Sequence, residues 1–371
     1  MQLFKLRPTI SRFYSFGDFA KEYGLGERDL VITNEFIWAP YMKDLNLKCH
    51  FLFQEKYGAG EPSDKMMNAM LEEVKKIQYD RVVAVGGGTV IDCSKVFALG
   101  GVDDVVKAFE RSIPIKKDKG LVIVPTTCGT GSEVTNISIA EIISKNTKMG
   151  LVDDEILADS AVIIPELLTG LPFKFYVYSS IDALIHATES FVSPKANVYT
   201  QIFSRSAMST IIDVFKGIAR EGEDYRKKRF EDMLIASNIA GIAFGNAGVG
   251  AVHALSYPLG GTYHVPHGES NYQFFTTVFE KYKSKKPKGS IEEAEALLAK
   301  DLGCDVKNVY VELDNLLGKL CKKNQLHTYG MKEADIDGFT DTVIRTQQRL
   351  LANNYVELTR EEIREIYQKL F

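Results

Sequence analysis

Half of the chain's six histidines, His253, His264 and His267, fall within VHALSYPLGGTYHVPHG, residues 252–268. A second set lies upstream in SSIDALIHATESF, residues 179–191, where Asp182 and His186 are four apart and so project from one face of a helix. A histidine on its own is more often a satisfied core or surface residue than a ligand. Here the surroundings change that reading. No Asp, Glu, Lys or Arg occurs from Met233 to Gly268, so burying several imidazoles there beside Asp182 would be costly without a cation. One carboxylate with three neutral imidazoles suits a borderline divalent ion, Fe(II) or Zn(II).

Two glycine-rich stretches offer a different chemistry. In RVVAVGGGTVIDCSK an apolar run ends on Gly86, Gly87 and Gly88, and a helical pattern starts at about Val90. A strand-to-helix turn of this kind presents backbone N–H groups and a helix N-terminus to an anion, and the absent side chains let a pyrophosphate come close. The spacing is not GxGxxG, and three glycines alone could simply make a tight turn. PTTCGTGSE, residues 125–133, follows another strand-like run and adds the hydroxyls of Thr126, Thr127, Thr130 and Ser132 beside Gly129 and Gly131. Two such loops at the same end of one sheet outline a ligand crevice.

Elements of both kinds must carry these residues. DLVITNE (29–35), KCHFLFQ (48–54), RVVAVGGG (81–88) and GLVIVPTT (120–127) are short, β-branched and bounded by turn residues, which predicts strands. SDKMMNAMLEEVKKI (63–77) and VIDCSKVFALG (90–100) read as helices, and the alternation predicts a mostly parallel sheet covered on both faces. Beyond about residue 172 the period changes. Segments 177–192, 197–220, 227–257, 290–301, 306–322, 332–351 and 359–370 carry apolar residues at threes and fours and predict an all-helical second half. Ser179 and Ser180 are expected to cap the helix of Asp182 and His186, and Pro258, Gly260 and Gly261 to end the helix near whose terminus His253 lies. The change of period at Leu171–Pro172 divides the chain into domains 1–172 and 173–371.

Composition narrows the classes of function. A chain of 371 residues is long for a single core and predicts two domains. With 45 basic against 49 acidic residues the net charge is −4, too small to draw in nucleic acid. The lysines of KYKSKKPKG (281–289) are expected in a solvated loop. Cys49, Cys93, Cys128, Cys304 and Cys321 are odd in number and form no CxxC pair, which argues for a reducing compartment and against disulfides or a cysteine-ligated zinc site. MQLFKLRPTISRF has no long apolar h-region, so no secretory signal is expected and the cytoplasm is the expected location. The uncharged run 233–255 is long enough to cross a bilayer. Its Ser237, Asn238, Asn246 and His253, and the missing basic anchors, predict instead a helix buried within a soluble domain and no membrane partner.

These motifs resemble the iron-containing (group III) alcohol dehydrogenase family over nearly the whole chain. GGGTVID is similar to the family's GGGSxxD pyrophosphate loop, PTTCGTGSE to its PTTAGTGSE loop, and DALIH followed by VHALSYPLGGTYHVPHG to its metal-binding signature. The resemblance implies an α/β fold, with an N-terminal Rossmann-like dinucleotide-binding domain on a parallel sheet followed by an all-helical C-terminal domain for metal and substrate. Carried over position by position, it implies Asp182, His186, His253 and His267 as ligands of Fe(II), with Zn(II) as the alternative. It places Gly87, Gly88 and Thr89 on the pyrophosphate with Asp92 near it, Thr126, Thr127 and Thr130 towards the nicotinamide ribose, and Lys148 near the cofactor. A homodimer or higher homo-oligomer is also implied.

Two positions depart from the family pattern. Many members carry a second histidine four residues after the one matching His253; here that residue is Tyr257, so the implied proton relay passes to the Tyr257 hydroxyl, to His264 or to water. His264 falls on no ligand position, and the other reading of it is a hydrogen-bonded cleft residue. After the first strand many NAD-using members carry an aspartate, where this chain has Asn34 followed by Glu35. The Glu35 carboxylate is a candidate partner for the adenosine ribose 2′-OH, so NAD is expected and NADP stays open.

The implied reaction is hydride exchange between NAD(P) and a small hydroxy acid or aldehyde, with the metal as Lewis acid on the substrate oxygen. SYPLGG and TYHVPHG are most similar to members that interconvert 4-hydroxybutyrate and succinate semialdehyde. Alternatives in the same fold group are a short-chain alcohol or glycerol dehydrogenase and a 3-dehydroquinate synthase-like lyase, groups that generally hold their metal with fewer histidines. A non-catalytic, metal-stabilised scaffold is opposed by the intact GGGT and TTCGTGS loops.

Overall fold

Val82, Val83, Ala84 and Val85 expose no surface, because the strand they form is covered on both sides. The computed structural model describes residues 2–145 and 147–371. Its strands are β1 (Thr9–Arg12), β2 (Asp29–Thr33), β3 (His50–Phe53), β4 (Arg81–Gly86), β5 (Gly120–Pro125), β6 (Ile137–Ile142), β7 (Thr147–Val152) and β8 (Ser160–Ile163). Six of them pair in parallel in the order β1-β8-β5-β4-β2-β3, while β6 and β7 make a separate antiparallel hairpin. The four strands read from sequence are present, with β4 beside β5 at the middle of the sheet.

Alternate residues of these strands feed two cores. Leu30, Ile32, Val82, Ala84, Leu121 and Ile123 meet α3 (Asp64–Val74), α4 (Gly88–Phe97) and α5 (Val105–Phe109). Val31, Val83, Val85, Val122 and Val124 meet α1 (Phe16–Glu22) and α2 (Glu35–Tyr41) on the opposite face. Each buried valine contributes roughly 1.5–3 kcal/mol over an exposed one. This layering makes Leu6–Leu171 one compact unit.

The second unit is Pro172–Phe371 together with the N-terminal residues up to Lys5. Its helices are α6 (Phe173–Val192), α7 (Val198–Glu221), α8 (Phe230–Ala247), α9 (Ala251–Tyr263), α10 (His267–Lys285), α11 (Ser290–Leu302), α12 (Val309–Leu320), α13 (Asp335–Thr346), α14 (Gln348–Leu351) and α15 (Arg360–Leu370), and it contains no strand among the described residues. The N-terminal stretch departs from a division at residue 172. Lys5 N–H donates to Asn246 Oδ1 at 2.7 Å, Asn197 Nδ2 donates to Leu3 O at 2.8 Å, and Phe4 stacks on Phe203 at 5.5 Å.

Several local expectations are corrected. Ser179 and Ser180 do not cap α6, which starts six residues earlier after Pro172; Ser179 Oγ donates back to Tyr176 O at 3.0 Å and Ser180 is buried. Proline tolerates a helix start because the first turn leaves N–H groups unused. His253 lies near the beginning of α9, not its end, and the helix runs through Pro258, Gly260 and Gly261 to stop at His264, whose φ of 55° is left-handed. Pro258 removes one backbone hydrogen bond, which the burial of this stretch through Leu259 outweighs, while Gly260 and Gly261 fall in the more exposed last turn, which they weaken without ending. Segment 227–257 is two helices because Gly248, with φ of 77°, turns the chain at a place where a side chain would run into Asn353. The helical stretch Glu223–Ala247 and α9 meet at 105°, and among the described residues no single helix is long and apolar enough to cross a membrane. The basic run is not all loop: Lys281, Lys283 and Lys285 lie on α10 and pair with Glu365, Glu295 and Glu362 at 2.8, 2.8 and 2.6 Å.

Gly268, beside His267, lies so close to the Tyr178 carbonyl that an added Cβ would overlap it. A backbone atom cannot swing aside, and this contact seats α10 on α6. Gly268→Ala is therefore expected to destabilise the protein by about 1–3 kcal/mol and to lower its metal content, read by thermal denaturation and metal analysis. Unchanged melting would show that the two helices do not depend on this approach.

Candidate metal centre

Three helices of the second unit converge. Asp182 and His186 come from one face of α6, His253 from the first turn of α9, and His267 from the first position of α10. One ligand atom each from Asp182, His186 and His253 lie within 4.8 Å of one another, and all three residues are buried. Asp182 Oδ1 is 3.5 Å from His253 Nε2 and 3.9 Å from His267 Nε2, and Oδ2 is 4.0 Å from His186 Nδ1. Donors held about 2.1 Å from one ion stand ~3–4 Å apart, which is this spacing. The His186 ring stacks on Phe244 at 4.2 Å and on His253 at 4.7 Å. His267 is a third exposed and marks the open side of the group.

Glu189, which the sequence reading did not single out, orients the group. Its Oε2 is 2.6 Å from His253 Nδ1, and its Oε1 accepts the Val252 N–H at 2.8 Å. With Nδ1–H assigned to Glu189, the His253 Nε2 lone pair faces Asp182, and this buried nitrogen has no hydrogen-bond partner. A lone pair aimed at a buried carboxylate is repulsive, and a cation between them turns the contact favourable. The donor set therefore fits a divalent ion, backed by a carboxylate on the far side of the imidazole. Asn271, itself fully buried, steadies Asp182 by giving an Nδ2–H bond to its Oδ1 at 2.7 Å, and it also donates to His267 Nε2 at 3.1 Å, a bond that an ion taking this lone pair would replace.

The electrostatics agree. Burial opposes charge on Asp182, yet His186, His267 and His253 hold its carboxyl well below the usual range. Burial likewise opposes a charged His253, but Glu189 and Asp182 outweigh it and push the imidazole up to about 9.

The other residues singled out from sequence lie nearby or in the α/β unit. Tyr257 is half-buried one turn after His253, its ring 6.0 Å from His267. His264 lies outside the cluster, exposed at the end of α9.

In the α/β unit the two glycine-rich loops touch at the ends of β4 and β5. Thr126 N–H donates to Gly86 O at 3.0 Å, and Cβ atoms added at Gly87 and Gly88 would come within 3.4 Å of Thr127 and 3.2 Å of Thr130. The loops thus form a cradle bare of side chains, next to the buried and unpartnered Thr127 hydroxyl, and such a cradle fits a pyrophosphate. Thr89 Oγ1 donates to Gly60 O at 2.8 Å, and Lys148 pairs with Glu61. Asp92 faces the second loop, accepting Ser132 Oγ–H and Ile139 N–H, both at 2.9 Å. Lys95, also missed from sequence and fully buried, donates to Ser132 Oγ at 2.7 Å and Ile137 O at 2.6 Å. Glu35 is exposed, and its N–H is taken by Glu55 Oε1 at 2.6 Å.

Comparison with known proteins decides the family. The family model described as iron-containing alcohol dehydrogenase matches residues 11–165, and that for the C-terminal part of the Fe-containing alcohol dehydrogenase family matches residues 176–371. The chain belongs to the iron-containing alcohol dehydrogenase family. Within it, the chain is 51% identical to the 4-hydroxybutyrate dehydrogenase of Clostridium kluyveri over 371 residues, all of both chains. It is 32% identical to long-chain-alcohol dehydrogenase 1 of Geobacillus thermodenitrificans, covering 86% of this chain and 84% of that one. Two solved structures share the family fold over the whole chain: a 1,3-propanediol oxidoreductase, with a TM-score of 0.86, 23% identity and 100% of both chains covered, and the sulfoacetaldehyde reductase of Bifidobacterium kashiwanohense in complex with NAD+, with a TM-score of 0.85, 23% identity and 100% and 99% covered.

Two outcomes follow for the centre. Glu189→Gln is expected to weaken metal binding about 10- to 100-fold with the fold intact, read by competition with a chromophoric chelator; unaltered affinity would remove Glu189 from the site. Because His253 is raised from 6.5 to about 9, the metal-free protein carries a proton there that an entering ion must displace. Metal affinity is therefore expected to rise with pH up to about 9. The same proton stabilises the metal-free fold fully below pH 6.5, and that contribution fades as pH climbs through 9.

Proposed function

We propose that this iron-containing alcohol dehydrogenase family member interconverts 4-hydroxybutyrate and succinate semialdehyde with NAD as the hydride carrier. One observation carries the substrate: 51% identity over the full length to a 4-hydroxybutyrate dehydrogenase. Hydride leaves the carbinol carbon for the nicotinamide ring and the hydroxyl proton is released; the reverse reaction reduces the aldehyde.

In this reading Asp182, His186, His253 and His267 hold Fe(II), with Zn(II) as the alternative, and a bound ion supplies Lewis acidity towards the substrate oxygen. Glu189 and Asn271 fix the donors' orientation. Tyr257, beside His267 at the open side of the group, receives or returns the hydroxyl proton, and His264 is the second candidate for that step. In the α/β unit Gly87, Gly88 and Thr89 bind the pyrophosphate, Thr126, Thr127 and Thr130 approach the nicotinamide ribose, and Lys148 lies near the cofactor. Asp92 acts by holding the threonine loop. Residues 1–172, apart from those up to Lys5 that pack with the helical unit, thus form the dinucleotide domain and 173–371 the metal and substrate domain.

We further place the protein in the cytoplasm, where its five free cysteines stay reduced. We also assign it a homo-oligomeric state. Val198, Tyr199 and Ile202 expose apolar side chains together on α7, which supports self-association.

Anaerobically purified protein is expected to oxidise NADH with succinate semialdehyde at a kcat/KM roughly tenfold or more above that with butyraldehyde, and to lose turnover on chelation until Fe(II) or Zn(II) is restored. Metal-dependent turnover that favours butyraldehyde would discard the acid substrate and keep the dehydrogenase. Tyr257→Phe is expected to lower kcat by about 10²-fold, and an unchanged kcat would move the proton step to His264 or water.

A further inference from the structure

The sheet order locates the half of the cradle that receives adenosine. From β2 the chain runs outward to β3, returns past β2 to β4, and then continues in the opposite direction through β5. Ligands of such sheets lie over the carboxyl ends of the strands that flank the switch, here β2 and β4. With a pyrophosphate over Gly87 and Gly88 at the end of β4, and the threonine loop beyond β5 on one side, the other half of a dinucleotide falls over the ends of β2 and β3.

Three residues there form one hydrogen-bonded unit. β2 and β3 pair with Thr33 beside Phe53, which brings Asn34 and Glu55 to the same end. Asn34 is buried, and its amide donates to Gln54 Oε1 at 3.2 Å and to Glu55 Oε2 at 2.9 Å. A primary amide has two N–H groups, so both are engaged and neither is left for a phosphate. Glu55 Oε1 accepts the Glu35 N–H at 2.6 Å, which fixes the carboxylate from two directions. The neighbouring Lys56 lays its ammonium over the Phe53 ring at 4.7 Å.

We infer that Glu55, held in place by Asn34, is the residue that selects NADH over NADPH. Its fixed, half-buried carboxylate accepts hydrogen bonds from the adenosine ribose hydroxyls and repels a 2′-phosphate, which carries up to two negative charges at neutral pH. Glu35, the acidic residue first suggested by the sequence, contributes its backbone N–H instead. The inference rests on the dinucleotide reading proposed above.

The test is equilibrium titration of the metal-loaded protein with NADH and with NADPH, following nucleotide fluorescence, beside Glu55→Gln and Asn34→Ala and with melting temperature as the fold control. The unaltered protein is expected to bind NADH at least about tenfold more tightly than NADPH. Glu55→Gln keeps an acceptor for the Glu35 N–H but loses the charge, and is expected to shift the ratio of the two Kd values towards NADPH by roughly 10- to 100-fold. Asn34→Ala leaves the charge but frees it to move, and is expected to shift the ratio in the same direction by less. Equal binding of both nucleotides by the unaltered protein, or an unchanged ratio in Glu55→Gln, overturns the assignment of Glu55 while the dinucleotide reading stands. If Glu55→Gln does not fold, an unchanged ratio in Asn34→Ala does the same. Failure of the unaltered protein to bind either nucleotide overturns both.

Discussion

Two buried carboxylates, Asp182 and Glu189, face opposite edges of the His253 imidazole, 3.5 Å and 2.6 Å away. Charges taken out of water cost several kcal/mol each unless geometry is close, so the helices that carry them have little freedom to shift. α6 is buried almost along its whole length and meets α10 at Gly268. α9 is aimed by the turn at Gly248, and Glu189 ties its first turn to α6 through the Val252 N–H. The helical unit is thereby organised around one imidazole whose two nitrogens have different duties, one donating to Glu189 and one facing Asp182 with a proton that an entering ion displaces.

The α/β unit solves a related problem with different groups. Two bare loops must stay open for a ligand yet keep their spacing without one. Asp92 and Lys95, one turn apart on α4, reach across to Ser132 and to the start of β6. Burial lowers the Lys95 ammonium to about 8 against the pull of Asp92 and Glu133, which shows how far from water this clamp sits. The glycines can remain bare because the rigidity is supplied from beneath them.

What the sequence conveyed follows from how each signal arises. The central strands were legible as short, β-branched apolar runs because they are buried on both faces, and the amphipathic helices because one-sided burial imposes a period on them. β1, a mostly exposed four-residue edge strand, offers no run of that kind, and β8, equally short, offers only a brief one. The positions of Asp182, His186 and His253 were legible from type and spacing, and the structure gathers these three. Glu189 stands three residues after His186 on the same helical face and could have been found that way, but its role depends on α9 arriving opposite, which is a tertiary fact. The same holds for Asn271 and for the Asn34–Glu55 contact, formed between residues twenty-one apart by strand pairing. Helix boundaries failed where burial overrode local propensity, as at Pro258.

Charge balance explains why the centre should take a divalent ion. Asp182 and Glu189 bring two negative charges into a region from which Lys and Arg are missing over residues 233–268. A proton on His253 cancels one of them; a divalent ion beside three neutral imidazoles cancels both. A monovalent ion would leave a buried negative charge and a trivalent ion a positive one, each of which burial penalises. This argument selects a class of ion and does not separate iron from zinc. One carboxylate and three imidazoles suit either, and for equal donors Zn(II) binds more tightly than Fe(II). Iron occupancy in such a site therefore follows from which ion is available to the protein, not from a preference of the donors.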